Sequence, residues 1–124
     1  VTHRIQLGKA ICQSLGIDIP TLCHDDRIKP NGHCRMCIVD VRKKARTTAS
    51  CQNILENGME IETHSPRIER TRKADLKMMA LSYPLEDFLL YPDKKFHKLC
   101  KQYGLTEADF ARPEKRIDAS HTFI

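Results

Sequence analysis

The apolar positions near the start of the chain follow the period of a helix. In residues 7–15 every fourth position is Leu or Ile, which predicts a helix with one apolar face. Gly16 is expected to end this helix, because glycine readily adopts the left-handed conformation found after helix C-termini. Residues 21–34 show neither a helical nor a strand period and contain the turn formers Pro30 and Gly32. They predict a long irregular loop, and such loops in compact domains usually serve a function.

Strand-like patterns follow this loop. Residues 35–41 are apolar on both faces over a short run, which predicts a central strand. Residues 42–46, RKKAR, are expected to form a hairpin turn, and residues 47–51 the returning strand. Residues 59–63 alternate between apolar and polar side chains, so they predict a half-buried strand. Strands are therefore expected in the middle of the chain.

The later part of the chain returns to helical spacing. Ser65 and Pro66 predict a helix start, because Ser accepts hydrogen bonds from free N–H groups and Pro is tolerated at the first helical position. This helix is expected to run to about residue 81, before Pro84. A further helix is predicted from about residue 93 to about residue 103, capped by Gly104. The apolar stripe of the first helix consists of Ile68, Leu76, Met79 and Ala80.

The aromatic residues divide the chain into two parts. The 124 residues suit one domain, or one small domain with an appendage. There is no Trp, and all three Tyr and four Phe lie between Tyr83 and Phe123. The part before Tyr83 has no aromatic side chains for its core. An additional stabilising element, such as a cluster bound by the cysteines, is therefore expected.

The charge pattern limits the classes of partner. The formal net charge is +5, and most of the excess lies in residues 1–82. Nucleic-acid binding is not predicted, because the basic residues are scattered apart from residues 42–44 and an interrupted run over residues 67–77. Residues 42–44 are interpreted as a solvated loop, and the run over residues 67–77 as a solvated helix face. No run of about 18 apolar residues is present, so no membrane span is predicted.

Four of the six cysteines form the most informative pattern. Cys23, Cys34, Cys37 and Cys51 are separated by ten, two and thirteen residues. A C-x2-C turn supplies two neighbouring thiolates, and a preceding glycine lets backbone N–H groups approach sulfur. Iron–sulfur ligation is favoured over zinc, because four-cysteine zinc sites usually show two close pairs. A structural zinc module that binds partners and a thiol–disulfide protein remain as alternatives. Thiols bound to metal also indicate a reducing, cytoplasmic location.

The text CHDDRIKPNGHCRMCIVDVRKKARTTASC, residues 23–51, resembles the 2Fe–2S site in the large electron-transfer subunit of respiratory complex I. The same module occurs in [FeFe]-hydrogenases and NAD-linked formate dehydrogenases. The resemblance covers about residues 5–84. It implies an α+β, β-grasp 2Fe–2S ferredoxin-like domain over residues 1–64, with its N-terminal hairpin incomplete. The chain is therefore expected to be part of a longer polypeptide. One 2Fe–2S cluster on Cys23, Cys34, Cys37 and Cys51 would carry single electrons.

The family also sets expectations for partners. The resemblance implies flavin- and 4Fe–4S-containing redox subunits or domains in an NAD(P)H-, hydrogen- or formate-linked oxidoreductase. No nucleophile–base pair or phosphate loop is present, so no catalytic site is predicted in this chain.

Within residues 65–124, the sequence departs from the family pattern from Tyr83 onwards. Many members continue into a 4Fe–4S motif of one His and three cysteines, but here Tyr83 stands at the His position. Phe88 and Tyr91 lie near the expected C-x2-C, and only His97 and Cys100 remain as donors. The segment is therefore predicted to be a small helical appendage that has lost its ligands. The cysteine and histidines that are not proposed as ligands are expected to be structural or in contact with solvent: Cys12, His3, His24, His33, His64 and His121.

Overall fold

The chain has an α+β fold with a small sheet followed by helices. A computed structural model describes residues 12, 14–54, 56 and 58–110. The strands are β1 (Ile38–Val41), β2 (Thr48–Ala49) and β3 (Ile61–Glu62). The helices are α1 (Pro66–Ala80), α2 (Leu85–Leu90) and α3 (Lys95–Gln102), and a 3-10 turn, Glu107–Phe110, follows them.

The three strands form an antiparallel sheet with β1 in the centre. Ile38 pairs with Ala49 of β2, and Asp40 pairs with Glu62 of β3. Both faces of β1 are covered, as the apolar run predicted. The strand begins at Ile38 rather than at residue 35, because residues 34–37 form a turn. Strand β3 is likewise shorter than the predicted 59–63.

The predicted end of the first helix is confirmed at Gly16. The helix itself lies largely outside the described residues, although Cys12 and Ser14 are helical. Gly16 has φ 73°, and the N–H of Ile17 donates to the carbonyl of Cys12 at 2.7 Å. This is the hydrogen bond that closes a Schellman C-cap. Residues 21–34 contain bends and turns but neither helix nor strand, as predicted, and the irregular region extends to residue 37.

Helix α1 begins where the sequence predicted and is tied to the sheet. The Ser65 hydroxyl accepts a hydrogen bond from the N–H of Ile68 at 3.2 Å, and Pro66 occupies the first turn. The same hydroxyl donates to Asp40 of β1 at 2.9 Å. One side chain therefore caps the helix and fixes its start against the central strand. Helix α2, which follows Pro84, was not predicted.

Two apolar cores meet at the cysteine-rich turn. Cys34 and Met36 pack in one core with side chains of the helices, including Leu76 and Phe88. The other core lies on the sheet and contains Ile19, Cys37, Val39, Val41, Ala49 and Cys51. The C-x2-C turn therefore has one cysteine in each core. In the part of the chain that the structure describes, no helix is long and apolar enough to cross a membrane.

Candidate metal centre

Two residues in the left-handed conformation shape the loop that carries the cysteines. Gly32 has φ 68°, and Arg35, inside the C-x2-C turn, has φ 56°. A Cβ atom at Gly32 would also lie 2.4 Å from Oε1 of Gln52. Glycine at this position therefore allows both the backbone conformation and the close approach of Gln52.

The fold brings the four predicted ligands together in two adjacent pairs. The N–H of Cys23 donates to the sulfur of Cys34 at 3.5 Å, and the two thiols also interact directly. The thiol of Cys51 is close enough to the other three for each of them to raise its pKa, and Cys37 has the largest effect of the three. Cys34, Cys37 and Cys51 are buried, whereas Cys23 is half-buried. The site thus has one side closer to solvent.

Backbone N–H groups are directed at the sulfur of Cys34. Burial would raise the pKa of this thiol, but the N–H of Cys23 donates to it. The backbone N–H groups of Met36 and Leu22 act in the same direction, and the pKa of Cys34 is lowered. Peptide dipoles therefore stabilise negative charge at this sulfur. Stabilising charge on sulfur is also how a protein favours the reduced state of an iron–sulfur cluster.

The other thiols require a cation to become thiolates together. Burial raises the pKa of Cys23, and burial followed by the neighbouring Cys37 raises that of Cys51. Four neighbouring thiolates repel one another, so ionising all four requires positive charge, which metal binding supplies as it displaces protons. The soft, buried, paired donors fit a 2Fe–2S cluster.

Four-cysteine sites differ in whether their donors surround one metal ion or are divided between two. A tetrahedral zinc site needs four donors around one point. A 2Fe–2S cluster instead spreads four thiolates over two irons, two on each. The two adjacent thiol pairs match the second arrangement.

Asn31 supports the loop beside Cys23. Its Oδ1 accepts a hydrogen bond from the Cys23 thiol at 3.3 Å and another from the N–H of His33 at 3.2 Å. Metal binding would remove the thiol proton and with it the first bond. The second would remain and would hold the loop next to the site.

The side chains expected to be structural or solvent-facing lie outside the thiol group. His24 contacts Asp26 at 2.9 Å, and His33 and His64 are exposed. Cys100 is completely buried among helical side chains, and this burial raises its pKa to about 11. His3 and His121 lie outside the described residues.

A buried arginine next to the C-x2-C turn was missed in the sequence. Arg72 of α1 is 0% exposed, and its Nε donates to the carbonyl of Met36 at 2.9 Å. The interpretation of residues 67–77 as a solvated face is therefore wrong at this position. Its spacing was the available signal, because residue 72 lies four positions after Ile68 and four before Leu76. A charge in the middle of an apolar stripe indicates a buried, partnered group.

Aromatic rings occupy the segment in which the family pattern places a second cluster. Tyr83 contacts His97 edge-on, and Phe88 stacks on Phe110 with 4.3 Å between ring centroids. His97 and Cys100 are both fully buried in this helical core. The two residual donors are therefore enclosed by rings and aliphatic side chains.

Comparison with known proteins identifies the class of the site. Residues 9–66 match the family described as 2Fe-2S iron-sulfur cluster binding domain. The matched segment contains all four cysteines of the two thiol pairs and ends at the first residue of α1. Residues 9–66 are therefore a 2Fe–2S iron–sulfur cluster binding domain.

Individual relatives place this domain in large oxidoreductases. The chain is 33% identical over 110 residues to a subunit of the NADH-quinone oxidoreductase of Rhizobium meliloti (strain 1021), covering 86% of this chain and 13% of that protein. It is 36% identical over 85 residues to the mitochondrial NADH-ubiquinone oxidoreductase 78 kDa subunit of Candida albicans (strain SC5314 / ATCC MYA-2876), covering 66% and 12%. The chain thus spans about an eighth of these relatives.

A solved structure shows the same arrangement of the chain. The crystal structure of NAD+-reducing [NiFe]-hydrogenase in the H2-reduced state superposes with a TM-score of 0.71 at 28% identity. The match covers 94% of this chain and 50% of the other. The likeness therefore extends beyond the matched family segment into the helices. The resemblance noted in the sequence is confirmed.

Proposed function

We propose that this chain passes single electrons through one 2Fe–2S cluster as part of a larger oxidoreductase. The observation that carries the proposal is the arrangement of four thiols in two adjacent pairs, with peptide N–H groups directed at one of the sulfurs. When bound, the cluster would accept one electron and release it again. The proposed ligands are Cys23, Cys34, Cys37 and Cys51.

Each adjacent pair is proposed to serve one iron. Cys23 and Cys34 would hold one, because the N–H of Cys23 contacts the sulfur of Cys34. Cys37 and Cys51 would hold the other, because Cys37 is the thiol that raises the pKa of Cys51 most. Burial raises the pKa of Cys23 and Cys51, so these thiols keep their protons until iron replaces them. Assembly of the site should therefore release protons.

The surroundings of the thiols suit rapid, reversible electron transfer. The N–H groups at Cys34 stabilise added negative charge without moving, since the loop and both cores hold them in place. Buried thiols keep water away from most of the site. The half-buried Cys23 marks the side closest to solvent, where we propose that electrons enter or leave.

The larger assembly is proposed from the relatives. Their names refer to NADH-quinone oxidoreductase and to NAD+-reducing [NiFe]-hydrogenase. We therefore propose an NAD(P)H-, hydrogen- or formate-linked complex with flavin- and 4Fe–4S-containing partners. Leu89, Leu90 and Tyr91 at the end of α2 are more than half exposed, which suits a helical surface that contacts another subunit. All six cysteines are free thiols, which supports a reducing compartment such as the cytoplasm.

The organisation of the chain is proposed in two parts. Residues 1–64 would form a β-grasp ferredoxin-like domain, of which the sheet and the cysteine loop are the described portion. Residues 65–124 would form a helical appendage derived from a 4Fe–4S domain that has lost its ligands. Tyr83 and Phe88 support this history, because they pack around His97 where the missing ligands are expected.

Iron and acid-labile sulfide analysis with electron paramagnetic resonance (EPR) tests the function. Protein purified without oxygen should contain two irons and two sulfides per chain, and dithionite should produce one rhombic signal of one spin. A colourless protein with one zinc would replace the proposal with a structural zinc module. Spin from two kinds of centre would contradict the loss of the second cluster. Alkylation-sensitive activity without sulfide would indicate a thiol–disulfide protein.

A further inference from the structure

Arg72 is a fully buried cation in which each of the three guanidinium nitrogens donates a hydrogen bond. Its Nε donates to the carbonyl of Met36 at 2.9 Å, and its Nη2 donates to the carbonyl of Ile38 at 2.8 Å. Its Nη1 donates to Glu69 at 2.9 Å, and the Tyr103 hydroxyl also contacts the guanidinium. A buried charge is tolerated only when it is paired and hydrogen-bonded in this way.

The two carbonyls belong to one edge of the chain that leads into β1. Alternate residues of a strand direct their backbone groups to the same edge. Further along that edge, Asp40 pairs with β3, and the N–H of Arg42 donates to Glu60 at 2.9 Å. Strand β3 is too short to reach Met36 and Ile38. The planar guanidinium therefore supplies the donors that another strand would otherwise provide.

The carbonyls that Arg72 binds lie on either side of Cys37 in the chain. A trans peptide holds its N–H opposite its C=O, so fixing the Met36 carbonyl also fixes the direction of the Cys37 N–H. The backbone N–H of Met36 lies close enough to the sulfur of Cys34 to help lower the pKa of that thiol. Arg72 thus fixes the carbonyl of Met36, the residue that lies between the proposed ligands Cys34 and Cys37.

We infer that Arg72 is a positioning residue for the cluster, which fixes the C-x2-C turn and raises the cluster's reduction potential through its buried charge. The inference rests on the proposed function, because it assumes a cluster on Cys34 and Cys37. A nearby cation favours the reduced, more negative cluster, and burial weakens screening by water. Glu69 offsets part of this effect, since it is the counter-charge of the guanidinium.

The experiment compares variants of the full chain by EPR-monitored redox titration. Arg72→Met removes the charge and both carbonyl contacts, so the midpoint potential should fall and the EPR line shape should change. Arg72→Lys keeps the charge but loses the planar fork. Its potential should stay closer to that of the wild type, while a chelator removes iron faster than from the wild type. Arg70→Met, an exposed position on the same helix, is the matched control and should leave potential and line shape unchanged.

Glu69→Gln keeps the inference testable where Arg72→Met fails to fold. It retains an acceptor for Nη1 but removes the offsetting charge, so the midpoint potential should rise. If the role of Arg72 were purely structural, Arg72→Met would have a lower melting temperature. The cluster that remained bound would then have the same midpoint potential and EPR line shape as in Arg70→Met. That result, or no change in potential for Glu69→Gln, would overturn the inference. Absence of iron and sulfide from the wild type would instead refute the proposed function.

Discussion

The hydroxyl of Tyr83 lies 3.0 Å from Nε2 of His97, and Nδ1 of the same ring contacts the carbonyl of Tyr91. A carbonyl only accepts, so Nδ1 carries the proton and Nε2 accepts from Tyr83. Tyr83, at the position expected for an iron-binding His, thus serves as the hydrogen-bond donor to a buried His on α3. This pair agrees with the proposal that the helical part has lost the ligands of a 4Fe–4S cluster.

Removing the Tyr83 hydroxyl should destabilise the helical part. In Tyr83→Phe the buried Nε2 of His97 loses its donor, which should lower the free energy of unfolding by about 1–3 kcal/mol. Urea unfolding followed by circular dichroism measures this as a lower midpoint with an unchanged slope. Tyr91→Phe is the control, because only its carbonyl contacts His97 and its side chain is 51% exposed. Equal midpoints for the two variants would contradict the pairing.

Serine substitutions should distinguish the cysteines that bind the cluster from those that do not. Cys34→Ser or Cys37→Ser should bleach or destabilise the centre, because each removes one soft thiolate from a pair. Cys12→Ser and Cys100→Ser should leave the visible and EPR spectra intact, since neither residue belongs to the two thiol pairs. Iron content and absorption of the purified variants check this. Bleaching in Cys100→Ser would refute the ligand assignment.

Two glycines with positive φ should respond differently to alanine. Gly32→Ala and Gly58→Ala should each cost about 1 kcal/mol, because both positions have left-handed backbones, with φ of 68° and 80°. Only at Gly32 does the added Cβ also meet a neighbour, Gln52, beside the cysteine loop. Gly32→Ala should therefore also speed iron loss to a chelator. Equal rates of iron loss in the two variants would show that the Gln52 contact has no role in holding the loop.

Asp75 should lower stability at neutral pH. Burial raises its pKa above 3.8, although the cation of Arg35 acts in the opposite direction, and its Oδ2 is buried without a hydrogen-bond partner. A raised carboxyl pKa means that folding favours the protonated form, so its contribution to stability is lost as pH rises through the folded pKa. Asp75→Asn should therefore raise the free energy of unfolding at pH 7 by about 1 kcal/mol.

The pH dependence provides the check on Asp75. The stability difference between Asp75→Asn and the wild type should shrink as pH falls from 7 towards the raised pKa, as measured by melting temperature. Glu56→Gln, at an exposed position, should show no comparable gain. A difference that grew on acidification would mean that the carboxylate is stabilised in the fold, contrary to the direction stated here.

Elements set by neighbouring residues were predictable, whereas those set by distant contacts were not. Ser65 and Gly16 mark helix boundaries through hydrogen bonds within a few residues, so their signals are in the local sequence. Helix α2 has six residues and no side-chain cap, which leaves little local signal. Its place depends on the packing of Phe88 against rings that lie further along the chain.

The same distinction applies to the site. The spacing of the four cysteines and the resemblance that it carries were readable from the sequence alone. The partners of Arg72 were not, because they lie 34 and 36 residues away in the chain. Which backbone N–H groups point at Cys34 likewise depends on how the loop folds back, and Leu22 and Cys23 reach it from another turn.

The position of the tyrosines gives the chain two separate optical reporters. Tyrosine is its only strong ultraviolet fluorophore, since Trp is absent, and all three tyrosines lie from Tyr83 to Tyr103. Visible colour would arise only at the thiol pairs. Cys34 packs in the same core as the helices. The visible absorption should therefore report on the cysteine side of this core, and the tyrosine emission on its helical side. A chain that lost colour while its emission stayed constant would reveal loosening confined to the loop.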